Sequence, residues 1–245
     1  MNRYYYDFHI HSCLSPCGDD DMTPNNIAGM ATLCGLNIVA LTDHNSCKNC
    51  PAFFKTAKAY GIIPIAGMEL TTAEDIHVVC LFEQLDDALA FDKEIEERLI
   101  KVENRVNIFG KQQVMNEDDE QIDEFPYLLI NATDIPVDDV PAVVEKYNGV
   151  CFPAHIDRES NGIIATLGVF PDEPDFGVAE VRDAESLDGL RERFPKLGDM
   201  LIVCGSDAHY LDQMRDKQAY FELDDEPYSS DYVRKRLFEQ LRRIS

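Results

Sequence analysis

The sequence predicts an α/β protein in which a mainly parallel sheet closes, or nearly closes, into a barrel. Three observations carry that expectation. Short apolar runs alternate with helical segments along most of the chain, the order that a parallel sheet with covering helices imposes. The runs are near-continuous in apolar character, as strands buried on both faces are. At 245 residues and 45% apolar content the chain suits one α/β barrel. It is read as a single domain over residues 1–245, with an acidic insertion at about 84–127.

Each element has a local reason. Tyr4–His11 (YYYDFHIH) reads as the first strand and leads into a loop, SCLSPCGDDDMTPNN. Thr23 followed by Pro24 is an N-cap and first helical position, so a helix is expected through Ile27 to Cys34, ended by Gly35. Asn37–His44 is the second strand, Phe53–Tyr60 a helix stopped by Gly61, and Ile62–Glu69 the third strand. His77 opens the next run, HVVCLF, where other histidines close theirs; that strand is expected to run the opposite way, or a hairpin to fold its start back. From Glu83 to about Gln121 the texture changes. A charged helix carries an apolar stripe through Leu89, Ile95 and Leu99, and an acidic loop or hairpin follows. Val137–Tyr147 reads as a helix, Val150–His155 and Val178–Val181 as strands, Leu187–Phe194 as a helix and Leu201–Gly205 as a seventh strand. Asp231–Arg243 is a basic closing helix.

The formal net charge of -24 argues against a large nucleic-acid surface, since phosphate backbones are held by Lys and Arg fields. Without a basic head followed by an apolar centre at the start, or an apolar stretch approaching ~18 residues, neither secretion nor a membrane span is expected, and the location is read as cytoplasmic. The eight cysteines are too sparse for a disulfide scaffold. Cys80, Cys151 and Cys204 read as core thiols, whereas Cys13, Cys17, Cys47 and Cys50 leave neighbouring strands and offer an alternative four-thiolate zinc site.

The histidines carry the chemistry. In an extended strand His9 and His11 point the same way and can grip one ion. Each of the other four of the six sits beside a carboxylate or at the edge of an apolar run. Asp19, Asp20 and Asp21 precede a helix and favour its dipole, or one of them closes over the His pair as an oxygen ligand. Asp43 is a candidate acceptor that orients an imidazole, against an N-cap role. Arg158, three residues past His155, is a candidate fork for substrate phosphate, against a surface ion pair.

The spaced motifs HIHS (9–12), TDH (42–44), GMEL (67–70), His77, PAH (153–155) and SDAH (206–209) resemble those of the PHP (polymerase and histidinol phosphatase) family in order, type and approximate spacing. The resemblance implies a distorted barrel of seven βα units, a three-metal site and phosphoester hydrolysis. It implies that His9 and His11 bind one metal with Glu69 and Asp207, that Asp19, His44 and His209 hold a second, and that Glu69, His77 and His155 hold a third. One departure is visible: many members have Ser-Asp-Gly soon after the His pair, but here Ser15 precedes Pro-Cys-Gly. Counting back from Thr23-Pro24 selects Asp19, with Asp20 the fallback.

The expected function is hydrolysis of a small phosphorylated metabolite, such as a nucleotide or amino-alcohol phosphate, by metal-activated hydroxide. Glu69, Asp43 and His209 are the catalytic candidates. The cofactors are three divalent ions, with Zn, Mn and Fe all suited to imidazole and carboxylate donors. No duplex nucleic acid or membrane partner is expected. The rival readings are a metal-holding structural or regulatory module and an exonuclease.

Overall fold

The computed structural model describes residues 1–242, so the last residue of the expected closing helix, Arg243, lies outside the described residues. In chain order, β1 is Asn2–Asp7, α1 Pro24–Leu33, β2 Ile38–Leu41, α2 Cys50–Ala59, β3 Ile63–Thr71 and β4 His77–Phe82. The insertion supplies α3 (Leu85–Arg98), the single turn α4 (Val106–Phe109) and the hairpin strands β5 (Gln113–Met115) and β6 (Gln121–Glu124). There follow α5 (Val140–Glu145), β7 (Val150–Pro153), α6 (Ile163–Leu167), β8 (Val178–Val181), α7 (Leu187–Arg193), β9 (Leu201–Cys204), β10 (Tyr220–Leu223) and α8 (Ser230–Arg242).

Six strands form one curled sheet in the order β10-β1-β2-β3-β4-β7, and β8 and β9 pair separately in parallel. Backbone bonds close the gaps on both sides. Ile156 N–H reaches Glu180 O (2.9 Å) from beyond β7, and Asp207 N–H and His11 N–H reach across between the ends of β9 and β1, to His9 O and Ala208 O (2.9 Å each). The result is a distorted barrel of seven staves, as the α/β alternation predicts. One stave is reversed: β4 is antiparallel to both β3 and β7, with Thr71 opposite His77. This hairpin returns His77 to the same rim as the carboxyl ends of the parallel strands. The alternating YFEL of β10 escapes the sequence reading; it adds an antiparallel strand to the other edge of β1.

The staves pack on two faces. Inside the barrel, Phe8, Val79, Phe152 and Val203 are fully buried, and Leu237, Phe238 and Leu241 of α8 belong to the same cluster. Outside, α1 and α2 cover Val39, Leu41, Ala66 and Met68. The start of α1 is as expected: Thr23 Oγ1 accepts from Asn26 N–H (3.2 Å) and Pro24 occupies the first turn. Gly35, at φ 71°, takes the left-handed conformation just past that helix. The expected helix at 137–147 is shorter, because it begins as a 3-10 turn over Val137–Asp139 and its α part ends at Glu145. Cys80 is fully buried, but Cys151 and Cys204, expected in the core, are half-buried on short strands.

The insertion is tied down at two places. Leu99, Val114, Phe125 and Leu129 pack on Leu14 in the loop after the His pair. Asp92 of α3 accepts from Ser46 Oγ (3.0 Å) and Cys47 N–H (2.7 Å) and pairs with Lys48 (2.9 Å), fixing the loop that follows His44. Among the described residues no helix is long and apolar enough to cross a membrane. Replacing Thr23 by Ala removes the only side-chain cap of α1 and is expected to cost about 1 kcal/mol in denaturant unfolding, with metal uptake unchanged.

Candidate metal centre

Glu69 lies in the middle of the rim and is almost wholly buried. Its Oε1 is 3.2 Å from His9 Nε2, 2.8 Å from His77 Nδ1 and 3.0 Å from His155 Nε2. Its Oε2 is 3.2 Å from His11 Nε2 and 3.0 Å from His44 Nδ1. Asp207 adds a second carboxylate, with Oδ1 3.6 Å from His9 Nε2, 3.5 Å from His11 Nε2 and 3.6 Å from His209 Nδ1. Eight of the nine residues expected as ligands therefore meet at one end of the barrel.

Their delivery follows from the strands. His9 and His11 leave β1, His44 leaves β2, and Glu69 sits inside β3, where its backbone N–H bonds to Asp43 O (3.1 Å). His155 and Asp207, just beyond β7 and β9, hold φ of 30° and 53°, a left-handed conformation that L-residues adopt at a cost. The cost falls where the chain must turn sharply to aim a side chain.

Three groups have donor atoms near enough to share one ion: His9, His11, Glu69 and Asp207; His44, Glu69 and His77; and His11, His44 and His209. The first matches the expected set. In the second, His44 stands where His155 was expected, and in the third, His11 stands where Asp19 was expected. Asp19 is held to the site by its backbone, which donates to His209 O (2.9 Å), but its Oδ1 accepts from Asp21 N–H (2.9 Å) and it joins none of these groups. The fallback, Asp20, is exposed and accepts from Gln113 Nε2 (2.6 Å).

The donor set suits divalent cations. His11 Nε2 and His9 Nε2 are 3.2 Å apart. Ser15 Oγ donates to Asp43 Oδ1 (2.7 Å), so it can only accept from His11 Nδ1 at 3.0 Å. That places a proton on His11 Nδ1, so a cation would displace only the proton on Nε2, the nitrogen that faces two carboxylates. Glu69 Oε2, His44 Nδ1 and His77 Nδ1 are likewise buried without a hydrogen-bond partner and face one another.

Asp43 does not touch its neighbour His44. Its Oδ1 accepts from Ser12 N–H and Ser15 Oγ and its Oδ2 from Ser12 Oγ, each at 2.7 Å, so it reaches His11 through Ser15. Two residues absent from the sequence reading complete the surroundings. Glu180 Oε2 is 2.8 Å from His9 Nδ1. Arg182 Nε lies 3.8 Å from Asp207 Oδ2, the oxygen to which Arg158 Nη1 donates (2.7 Å). Both were detectable as oddities: Glu180 is a charge inside an apolar run, and Arg182 follows it by two residues, on the same face of the strand direction. Among the described residues the thiols of the alternative zinc site are not gathered into a group that could hold a metal. Cys47 Sγ donates to Gly67 O (3.2 Å), burial raises the Cys47 thiol well above its ordinary range and Cys13 to about 12, and among the described residues no potential metal group contains a cysteine.

The electrostatics follow the geometry. Burial alone would lower His9 and His11, but the carboxylates outweigh it: Glu180, Glu69 and Asp207 hold His9 well above its ordinary value, and Asp207 and Glu69 raise His11 to about 9. Burial would raise Glu69, yet His77, His9 and His44 bring it well below the carboxylate range. His209, at the mouth, is lowered to about 4 by burial and by His11. A cleft of about 760 Å³ at Val150, Cys151 and Phe176 is lined by none of these site residues.

A sequence profile of the PHP domain matches residues 7–148. The chain belongs to the PHP domain family. An uncharacterised protein of Methanocaldococcus jannaschii is 31% identical over 99 residues, a match covering 37% of this PHP chain and 58% of that protein. The fold is similar to that of endonuclease Q from Pyrococcus furiosus (TM-score 0.68, 15% identity), where the match covers all of this chain and 57% of that one. It is also similar to a candidate metal-dependent phosphoesterase of Bifidobacterium adolescentis (TM-score 0.54, 16% identity), with 96% of each chain covered. This PHP chain thus spans somewhat over half the length of the first two proteins.

Asp7 sits behind the PHP site, its Oδ1 accepting from His9 N–H (3.2 Å) and Ser206 N–H (3.1 Å). Burial pushes its carboxyl up to about 6, partly offset by the bonds from Ser206 and His9. The unfolded value is near ~3.9, so the native state binds the extra proton between the two, and stability falls as pH rises through that window. Asp7→Asn keeps the acceptor without the charge. In chelator-treated protein it is expected to gain about 1–3 kcal/mol over the parent at pH 8 by denaturant unfolding, a gain that shrinks toward pH 4.

Proposed function

We propose that this chain is a metal-dependent phosphoesterase that acts on a small phosphorylated substrate at the His9–His209 rim. The observation that carries the reading is the convergence of five imidazoles on the two oxygens of Glu69, with Asp207 alongside. His9, His11, Glu69 and Asp207 would hold one divalent ion, and His44, His77, His155 and His209 with Glu69 would complete the positions beside it. Bound divalent ions of the Zn, Mn or Fe kind would supply positive charge against the phosphate oxygens and acidify water enough for attack near neutral pH.

The chain's own groups do the rest. Glu69 remains ionised and fixes the spacing of the donors. Arg158 and Arg182, each about one-third exposed in the side chain, stand at the edge with guanidinium groups suited to the nonbridging oxygens of a phosphate. Asp43 and Ser15 keep the His11 ring in place, and His209 is neutral near pH 7 at the open side of the site. The net charge of -24 favours a small anion that reaches these two arginines over an extended polyanion that needs a broad basic surface.

A nuclease is the second reading, favoured by the likeness of the whole chain to endonuclease Q. Purified protein assayed with a phosphomonoester, a phosphodiester, single-stranded DNA and a duplex with an abasic site, under Mn and under Zn, separates the two. Monoester turnover that is abolished by a chelator and restored by metal is expected. Cleavage of DNA without monoester turnover would replace the first reading by the second, and metal uptake without turnover of any ester would leave a metal-holding module. Glu69→Gln is expected to lower turnover by roughly a thousandfold with the fold intact by circular dichroism; a near-normal rate would overturn the assignment.

A further inference from the structure

β8 carries a carboxylate where its neighbours are apolar: Val178, Ala179 and Val181 are buried hydrophobics, and Glu180 between them is fully buried. Its Oε2 accepts from the backbone N–H of His155 (3.0 Å) and lies 2.8 Å from His9 Nδ1. Its Oε1 has no hydrogen-bond partner. That oxygen occupies the space where a side chain at position 205 would begin, since a Cβ on Gly205 would stand 2.0 Å from it. Gly205, the residue just past β9, therefore leaves room for this acid by having no side chain. A buried, half-satisfied carboxylate is unfavourable for stability, so a purely structural role does not account for it.

Its effect on His9 does. A carboxylate accepts and cannot donate, so the His9 ring beside it must carry its proton on Nδ1. In the singly protonated ring that a cation would need, the other nitrogen, Nε2, is a bare lone pair 3.2 Å from Glu69 Oε1 and 3.6 Å from Asp207 Oδ1, both acceptors themselves. Without Glu180 the opposite tautomer would be preferred, because an Nε2–H could donate directly to Glu69. Glu180 and Glu69 thus compete for one proton, and whichever takes it decides whether His9 can donate to a cation.

We infer that Glu180 is a positioning residue that pins His9 as the Nδ1–H tautomer, so that Nε2 is delivered to the divalent ion shared with His11, Glu69 and Asp207. The same oxygen holds the backbone of His155 and so keeps a second imidazole in register with the first. This assignment rests on the metal-centre reading above, but it concerns the tautomer of one ring and can be measured without turnover.

The test is a long-range proton–nitrogen correlation spectrum of zinc-loaded protein carrying ¹⁵N-histidine, with His9 assigned by its loss in His9→Asn. The parent is expected to show a protonated Nδ1 and a metal-shifted Nε2 at His9. Zinc affinity, from competition with a chromophoric chelator, is expected to fall roughly 10–100-fold in Glu180→Leu and to recover in Glu180→Gln, whose amide oxygen can still accept from Nδ1–H. An Nε2–H tautomer at His9 in the parent overturns the assignment, whatever the variants do. Affinity that is equal in the parent and both variants, or as weak in Glu180→Gln as in Glu180→Leu, overturns it too. Parent protein that takes up no zinc overturns the metal-centre reading together with this one, whereas zinc held equally well in all three removes only the role given to Glu180.

Discussion

A single ionised carboxylate, Glu69, removed from water and faced by five imidazoles, is the constraint that the rest of the structure answers. A charge in that setting is tolerable only if compensating groups arrive from every side at short range. The barrel makes this possible because the parallel staves all end at one rim. Where topology would send a ligand to the wrong end, the chain departs from regularity. β4 runs backward so that its first residue, His77, reaches the rim, and His155 and Asp207 adopt left-handed backbone conformations just past their strands.

Around the donors stands a layer of acids that never face solvent. Asp7, Asp43 and Glu180 each accept from backbone N–H groups, and each reaches one of the first two histidines: Asp7 through the His9 backbone, Glu180 through the His9 ring and Asp43 through Ser15 to the His11 ring. Fixed dipoles and neighbouring rings hold these carboxylates in place, so the fold itself orients the His pair. This is the preorganisation that active sites use, with the energetic cost carried by the fold.

Much of this was legible in the sequence because it rests on period and punctuation. Apolar runs bounded by Thr23-Pro24, Gly35 and Gly61 located strands and helices, and the placing of histidines at run ends located the rim. His77, at the opposite end of its run, already signalled the reversed stave. What stayed hidden depends on contacts between distant segments. Glu180 looks like one charge in a four-residue strand until Gly205 opens a space beside it. Asp43 was placed beside an imidazole by adjacency in sequence, yet a serine hydroxyl carries it to a different ring. The hydrophobic pattern of β10 is too short to stand out, and the strand exists because β1 offers it an edge. The Cys47 and Cys50 spacing suggested zinc, but both thiols are buried, with hydrogen bonds to the Gly67 carbonyl.

The antiparallel pairing of β10 with β1 has a consequence for how the protein comes into being. Tyr4 hydroxyl donates to Asp225 across 221 residues of chain, and Ser206 N–H reaches Asp7 across 199. Glu180, Asp207 and His209 likewise come late in the chain. A growing polypeptide therefore holds the His pair early, with its outer edge bare and half of its partners still unmade. Contacts of such long range are slow to form and leave an unpaired edge exposed meanwhile. A break in the latter third of the chain would accordingly also take away the strand that covers one edge of β1.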